Sequence, residues 1–171
     1  MELLTQERLK ELLEYNPDTG IFIWRKTRGG AHKGRVTGRH KCNGYLEIKI
    51  DYRLYRAHRL AWLYIYGKFP NNLIDHINCV TDDNRIANLR EATNSQNQMN
   101  RKGFKNNKSG YKGVSFHKKA NKWKAQISIN NVNTYLGSFD NKEDAAEAYR
   151  KASALLHGDF AYSNVQSPDY T

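Results

Sequence analysis

The chain has 171 residues, which suffices for one large domain or two small ones with modest cores. Its formal net charge of +11 favours a polyanionic partner, because solubility alone would need far less. Two cysteines, Cys42 and Cys79, without paired CxxC spacing argue against a structural zinc site and a disulfide framework, and no apolar run approaches a membrane span.

Both thiols read as free in a reducing compartment, and the opening stretch mixes Glu, Lys and Arg with leucine, unlike a signal peptide. The expectation is therefore a soluble, cytoplasmic chain. Thr5 to Glu14 predicts a short helix with Leu9, Leu12 and Leu13 on one face. Asn16-Pro17-Asp18-Thr19-Gly20 is a turn into a strand, Ile21 to Trp24. Arg25 to Arg39 is Gly-rich and basic; it reads as a loop, and its Arg25, Lys26, Arg28, Lys33 and Arg35 are placed to touch a nucleic-acid backbone. Gly44 to Ile50 alternates, with Leu46, Ile48 and Ile50 on one face and Glu47 and Lys49 on the other. Asp51-Tyr52 turns this strand into a hairpin. Ala57 to Tyr66 is apolar nearly all round, the pattern of a covered helix, and Gly67 and Pro70 end it. His58 at its start reads as a packed histidine given its apolar neighbours.

The stretch from Leu73 to Asn100 holds the chemistry. Two apolar residues lead into Asp75-His76; a polar turn containing Asp82, Asp83 and Asn84 follows; then come Ile86-Ala87-Asn88-Leu89 and a polar segment from Thr93 that starts a helix. A strand, loop, strand and helix in so few residues bring a His, an Asn and a helical Asn toward one point. A neutral His can take a proton from water, and a carboxylate with an amide oxygen suits Mg²⁺ when phosphate oxygens complete the shell. His76, Asn88 and Asn97, with Asp75 just before the His, resemble the HNH endonuclease motif in its phage and intron homing form, and AHRLAWLYIYGKFP and DNRIANLREAT around them are similar to that form. The resemblance implies a two-strand-plus-helix unit binding one divalent metal ion, Mg²⁺ or Mn²⁺. It implies His76 as general base, Asp75 and Asn97 as metal ligands, and Asn88 as the residue bracing the loop that holds the His. The third position is Asn97 where other members have His, and Cys79 stands in the turn where the family has Gly.

Between Arg101 and Lys124 nine basic residues occur with no acidic one. Lys102 to Ser109 reads as a linker, after which Tyr111 to Phe116, Lys122 to Ile129 and Asn133 to Phe139 read as strands. In the middle run Trp123, Ala125, Ile127 and Ile129 share one face, and Lys122, Lys124, Gln126 and Ser128 the other. Asp140 or Asn141 caps a helix to His157, with Ala145, Ala148, Tyr149, Ala152, Leu155 and Leu156 as its core stripe. With the text SGYKGVSF, KWKAQISI and TYLGSF, residues 109 to 164 resemble the plant ethylene-response-factor DNA-binding domain, which lays its sheet in the major groove. The contacts so implied are Lys112, Ser115, Lys122, Lys124, Gln126, Ser128 and Tyr135. Positions that are Arg in the plant domains are Ser115 and Ser128 here, so a target sequence does not transfer.

The expected architecture is α+β: an N-terminal region with the HNH domain over 1–101 (motif 73–100), a basic linker 102–108, a three-stranded antiparallel sheet packed on one helix over 109–165, and a tail 166–171. The expected function is metal-dependent, homing-type cleavage of double-stranded DNA inside a phage-infected host, with Arg85 and Arg90 as phosphate contacts and neither a small-molecule cofactor nor a membrane as partner. The alternative is a non-catalytic DNA-binding regulator whose HNH unit has decayed. An RNA-binding module is disfavoured because the outer strand face carries Lys, Gln and Ser where single-strand readers expose aromatics.

Overall fold

The computed structural model describes residues 4–27, 29–103, 106–130 and 132–162. The backbone contact expected of Arg28, Lys105 of the linker, residues 163–165 and the tail therefore lie outside the described residues. The chain divides into two compact units, one running through Ala92 and one from Thr93 onward.

In the first unit the Thr5 side chain accepts from the Arg8 amide and starts α1 (Gln6–Leu12), which buries Leu9 and Leu12. The helix ends two residues earlier than its periodicity suggests. Leu13 adopts φ −125 and ψ 147 and opens β1 (Leu13–Asn16), whose Leu13 and Tyr15 point inward. Strand alternation keeps both side chains in the core, which a further helical turn would not. β1 pairs antiparallel with β2 (Ile21–Trp24), and β3 (Val36–Thr37) adds to β2. A second sheet has the order β4 (Arg39–His40), β5 (Leu46–Ile50), β6 (Arg53–Arg56), turned at Asp51 and Tyr52 with both at positive φ. Here alternation misleads at one position. Glu47, expected on an outer face, is 7% exposed, with its carboxylate 3.2 Å from Lys41 Nζ and 3.3 Å from Arg56 Nε. Paired charges make that burial tolerable.

α2 (Ala57–Tyr66) buries Ala57, His58, Leu60, Ala61 and Leu63, and left-handed Gly67 ends it by donating its amide to the Leu63 carbonyl. Its apolar face closes a core with Leu9, Leu13, Phe22, Ile48 and Ile50. β7 (Leu73–His76) and β8 (Leu89–Ala92) then form a two-stranded hairpin in which Asp75 opposes Arg90 and His76 opposes Leu89. A 3-10 turn over Ile86–Asn88 feeds β8.

The second unit begins with α3 (Asn94–Asn100), opened by a reciprocal capping box between Thr93 and Gln96. Lys112 Nζ donates to the carbonyls of Gln98, Met99 and Arg101 at its other end. That tie explains why the boundary falls after Ala92 rather than in the basic segment beyond residue 101. β9 (Val114–His117), β10 (Lys122–Ile129) and β11 (Val132–Phe139) form an antiparallel sheet in the order β11-β10-β9. α4 (Lys142–His157), capped by the Asn141 side chain, packs on it with Ala145 against Val114 and Ala125 and with the buried Tyr149 beside Gly113. The stripe differs at its end from the expected one. Leu155 and Leu156 are exposed, whereas Ser153 and His157 are buried. The i+4 row Ala145, Tyr149, Ser153, His157 faces the sheet, and the polar pair is satisfied there: Ser153 Oγ meets His157 Nδ1 at 3.2 Å, and His157 Nε2 meets the Ser128 carbonyl at 3.3 Å. The architecture is α+β, as its sequence pattern indicates.

Gly113 has φ +74, and a Cβ there would strike the Tyr149 ring and stand 2.6 Å from the Gln126 carbonyl oxygen. Gly113→Ala should lower the stability of the second unit by roughly 2 kcal/mol or more, read as an earlier thermal transition. An unchanged melt would show that α4 and the sheet pack otherwise.

Candidate active site

The pairing of β7 with β8 leaves the loop between them to be organised by side chains. Asn88 does this from the return end. Its Oδ1 accepts from the Asn78 amide at 3.0 Å, its Nδ2 donates to the Asp83 carbonyl at 2.8 Å, and its own carbonyl accepts from the Ile77 amide at 2.9 Å. Cys79, at φ +57, donates its amide to the His76 carbonyl at 2.9 Å. A left-handed residue is what the turn requires, and a non-Gly residue there carries a strain of about 1–2 kcal/mol. Asp83 accepts from Asn78 Nδ2 at 2.6 Å and from Arg85 Nε at 2.8 Å. The Arg85 guanidinium holds its carboxyl well below the usual range, at about 2.

His76 ends β7 and is 4% exposed. Its ring lies 5.1 Å from the His58 ring, edge to face, and 5.8 Å from that of Tyr45, while Tyr45 and His58 are 5.4 Å apart. Arg56 stacks over Tyr45 at 4.7 Å. His76 Nε2 faces Asn84 Oδ1 at 3.5 Å. Burial pushes the His76 pKa down, opposed by Asn84 and by the carboxylates of Asp75, Asp83 and Asp82, so the ring is neutral near neutral pH. Burial also drives His58 down to about 3, helped by His76, Arg56 and Arg59, and leaves its Nδ1 without a hydrogen-bond partner among the described residues. His58 is a packed ring beside His76, in keeping with its apolar sequence context.

Asp75 is 5% exposed; its Oδ2 accepts from Arg90 Nε at 2.8 Å and forms an ion pair with Nη2 at 2.7 Å. Both arginines expected to touch phosphate are thus turned to carboxylates, Arg85 to Asp83 and Arg90 to Asp75. Asn97 lies on α3 in the second unit and is half-buried. The structure brings Asp75, His76 and Asn88 together in the first unit and adds Tyr45, His58 and Asn84 to them. The sequence treats Asn84 only as a turn former; the available signal was its place between two aspartates and an arginine in a loop that must return to β8.

On the second unit, Ser115, Lys122, Lys124, Gln126, Ser128 and Tyr135 share the sheet face opposite α4: Lys124 opposes Ser115 and Ser138, and Gln126 opposes Tyr135. Lys124 Nζ lies 5.8 Å from the Tyr135 ring centre. Lys112 differs from this set, because its ammonium is spent on the carbonyl end of α3. Trp123 is on the inner face, its ring 5.0 Å from that of Phe116.

The residues that resemble the HNH motif are thus Asp75 and His76 at the end of β7, Asn88 before β8 and, in the second unit, Asn97 on α3. Residues 55–99 match the HNH endonuclease family. Protein 3.8 of Escherichia phage T7 is 33% identical over 114 residues, 66% of this chain and 93% of that protein. An uncharacterized HNH endonuclease, L560, of Acanthamoeba polyphaga mimivirus is 32% identical over 124 residues, 71% of this chain and 63% of that one. The AP2-like ethylene-responsive transcription factor AIL7 of Arabidopsis thaliana is 32% identical over 156 residues, 85% of this chain but 28% of the plant protein. A solved structure of DNA binding and cleavage by the HNH homing endonuclease I-HmuI covers 93% of this chain and 91% of that one, with 20% identity and a TM-score of 0.44. The chain carries an HNH endonuclease domain over residues 55–99. Among the described residues no helix is long and apolar enough to cross a membrane.

Because the folded pKa of His58 is depressed from 6.5 to about 3, the unfolded chain binds the extra proton between those values. Stability should therefore be full above about pH 6.5 and fall as pH drops toward 3. Thermal melts of His58→Phe should show a shallower loss over that window than the parent chain. Parallel pH profiles would contradict the burial of a neutral imidazole.

Proposed function

We propose that the chain is a metal-dependent DNA endonuclease of the homing type, which holds duplex DNA and hydrolyses a phosphodiester bond at His76. The observation that carries this reading is the state of His76: a neutral imidazole at a strand end, confined by Tyr45, His58 and Asn84, in a loop that Asn88 ties on both sides. A confined neutral ring is preorganised to accept one proton, and that suits general-base activation of water. All four motif positions, Asp75, His76, Asn88 and Asn97, are present, which favours an active unit over a decayed one.

Among the described residues no three His, Cys, Asp or Glu side chains cluster, so a soft or zinc-like cage is not the donor set on offer. The ligands the family implies, the Asp75 carboxylate and the Asn97 amide oxygen, are hard oxygen donors that fit Mg²⁺ or Mn²⁺ once phosphate oxygens are added. When bound, the ion supplies charge stabilisation at the phosphate and its departing 3′ oxygen. Arg90 fixes the Asp75 carboxylate at the strand end, and His76 takes the proton of the attacking water. The face of β9–β11 that bears Lys122, Lys124, Gln126, Ser128, Ser115 and Tyr135 supplies the grip on duplex DNA, a reading supported by the alignment with plant transcription factors. Viral relatives support a place in the cytoplasm of an infected cell.

His76→Ala should lower single-turnover nicking by about 100-fold or more while duplex affinity stays within about twofold, since it removes the base and leaves the grip. Normal nicking by this variant would exclude the assignment. Replacing Lys122 and Lys124 together by Gln should reduce the slope of log affinity against log salt by about 2. A full slope in the double variant would move the DNA-binding face elsewhere. Chelating divalent ions should stop turnover and spare binding; cleavage persisting in chelator would remove the ion from the reaction.

A further inference from the structure

The loop that carries Asp82 to Arg85 is held from outside the nuclease hairpin. Tyr15 Oη, on β1, donates to the Asn84 carbonyl at 2.7 Å, and the Ile86 amide donates to the Pro17 carbonyl at 3.1 Å. Gly20, at φ +73, lies so close that a Cβ there would come within 2.6 Å of Arg85 N and Asn84 C. β1 and the turn after it thus meet the backbone of Asn84, Arg85 and Ile86 at three points. Burial keeps the Tyr15 phenol protonated, and so a donor, by pushing its pKa up. Asn84 itself is 1% exposed.

Within that seat the Asn84 amide has a determined orientation. Its Nδ2 donates to the Asp82 carbonyl at 3.0 Å, so the atom facing His76 Nε2 at 3.5 Å is the oxygen Oδ1. An amide oxygen only accepts, and a neutral imidazole carries one N–H and one lone-pair nitrogen. We infer that Asn84 is a positioning residue for His76, holding its proton on Nε2 so that Nδ1 is the basic nitrogen, and that the β1–β2 turn exists in part to seat Asn84. The hydrogen bond of one ring nitrogen selects the tautomer, and the tautomer decides which nitrogen can take a proton. At 3.5 Å the contact stands at the long end of a hydrogen bond. The inference rests on His76 being the base, as proposed above, and extends that reading to the N-terminal hairpin.

The test is the pair of ¹⁵N imidazole shifts of His76 in the full chain, at a pH where the ring is neutral, beside single-turnover nicking in magnesium and duplex affinity in chelator. The parent chain should show the Nε2–H form. Asn84→Ala should show mixed tautomers, with nicking slowed by about tenfold or more and affinity within about twofold. Asn84→Asp, which keeps an acceptor oxygen opposite Nε2, should retain the Nε2–H form, and Tyr15→Phe should shift the tautomer ratio in the same direction as Asn84→Ala. An Nδ1–H form in the parent chain overturns the inference even if Asn84→Ala does not fold. So does an Asn84→Ala chain that melts normally and keeps both the parent tautomer and the parent rate. If His76→Ala still nicks DNA, the proposed base fails; if His76→Ala is dead while Asn84 proves silent, only the positioning role fails.

Discussion

One side-chain amide closes the loop on which the site depends. Asn88 accepts from the Asn78 amide and donates to the Asp83 carbonyl, while its backbone carbonyl takes the Ile77 amide, so both ends of the loop are joined to the start of β8. With the loop closed, the β7–β8 register is set, and that register puts Asp75 across from Arg90 and His76 across from Leu89. Neutral hydrogen bonds of this kind contribute only about 1 kcal/mol each, but leaving the same buried groups unpaired costs more. The Asn is therefore specified by what its absence would leave open.

The charge distribution follows the same logic at two scales. Inside the first unit, three carboxylates near the site are matched by a guanidinium or ammonium: Asp75 by Arg90, Asp83 by Arg85, Glu47 by Lys41 and Arg56. Buried ion pairs contribute little net stability, but removing one partner is costly, so they fix geometry more than they add free energy. On the second unit lysines on an outward sheet face have no such burial to constrain them, and Lys122 pairs with an exposed Asp140 at 3.1 Å. The chain's excess of +11 has the sign that the proposed grip on DNA requires.

Much of this was legible in the sequence because it rests on local periodicity. The covered helix over Ala57–Tyr66, the hairpin of β5 and β6, the three strands after Ser109 and the Asn141 cap all follow from apolar spacing and turn residues. The motif positions were legible as residue types at a characteristic spacing. What escaped depends on partners distant in sequence. Leu13 and Glu14 look helical until Trp24 and Ile23 arrive as strand partners. Glu47 looks exposed until Lys41 and Arg56 converge on it. Leu155 and Leu156 look like core because hydrophobicity outranks Ser and His on any scale, yet Ser153 and His157 hold the buried row by bonding each other and Ser128. Tyr45 and Asn84 join the site only through folding, and Tyr15 reaches Asn84 across 69 residues of chain.

The central claim is that a neutral histidine at the end of β7 activates water against a phosphodiester, with an ion at hard oxygen ligands. Incubating the purified chain with DNA from its source genome, with and without magnesium, and mapping both ends of each cut tests this most directly. The account predicts magnesium-dependent breaks at discrete positions, leaving 3′ hydroxyl and 5′ phosphate ends. Bound but intact DNA in magnesium, or breaks that end in 3′ phosphate, would contradict it.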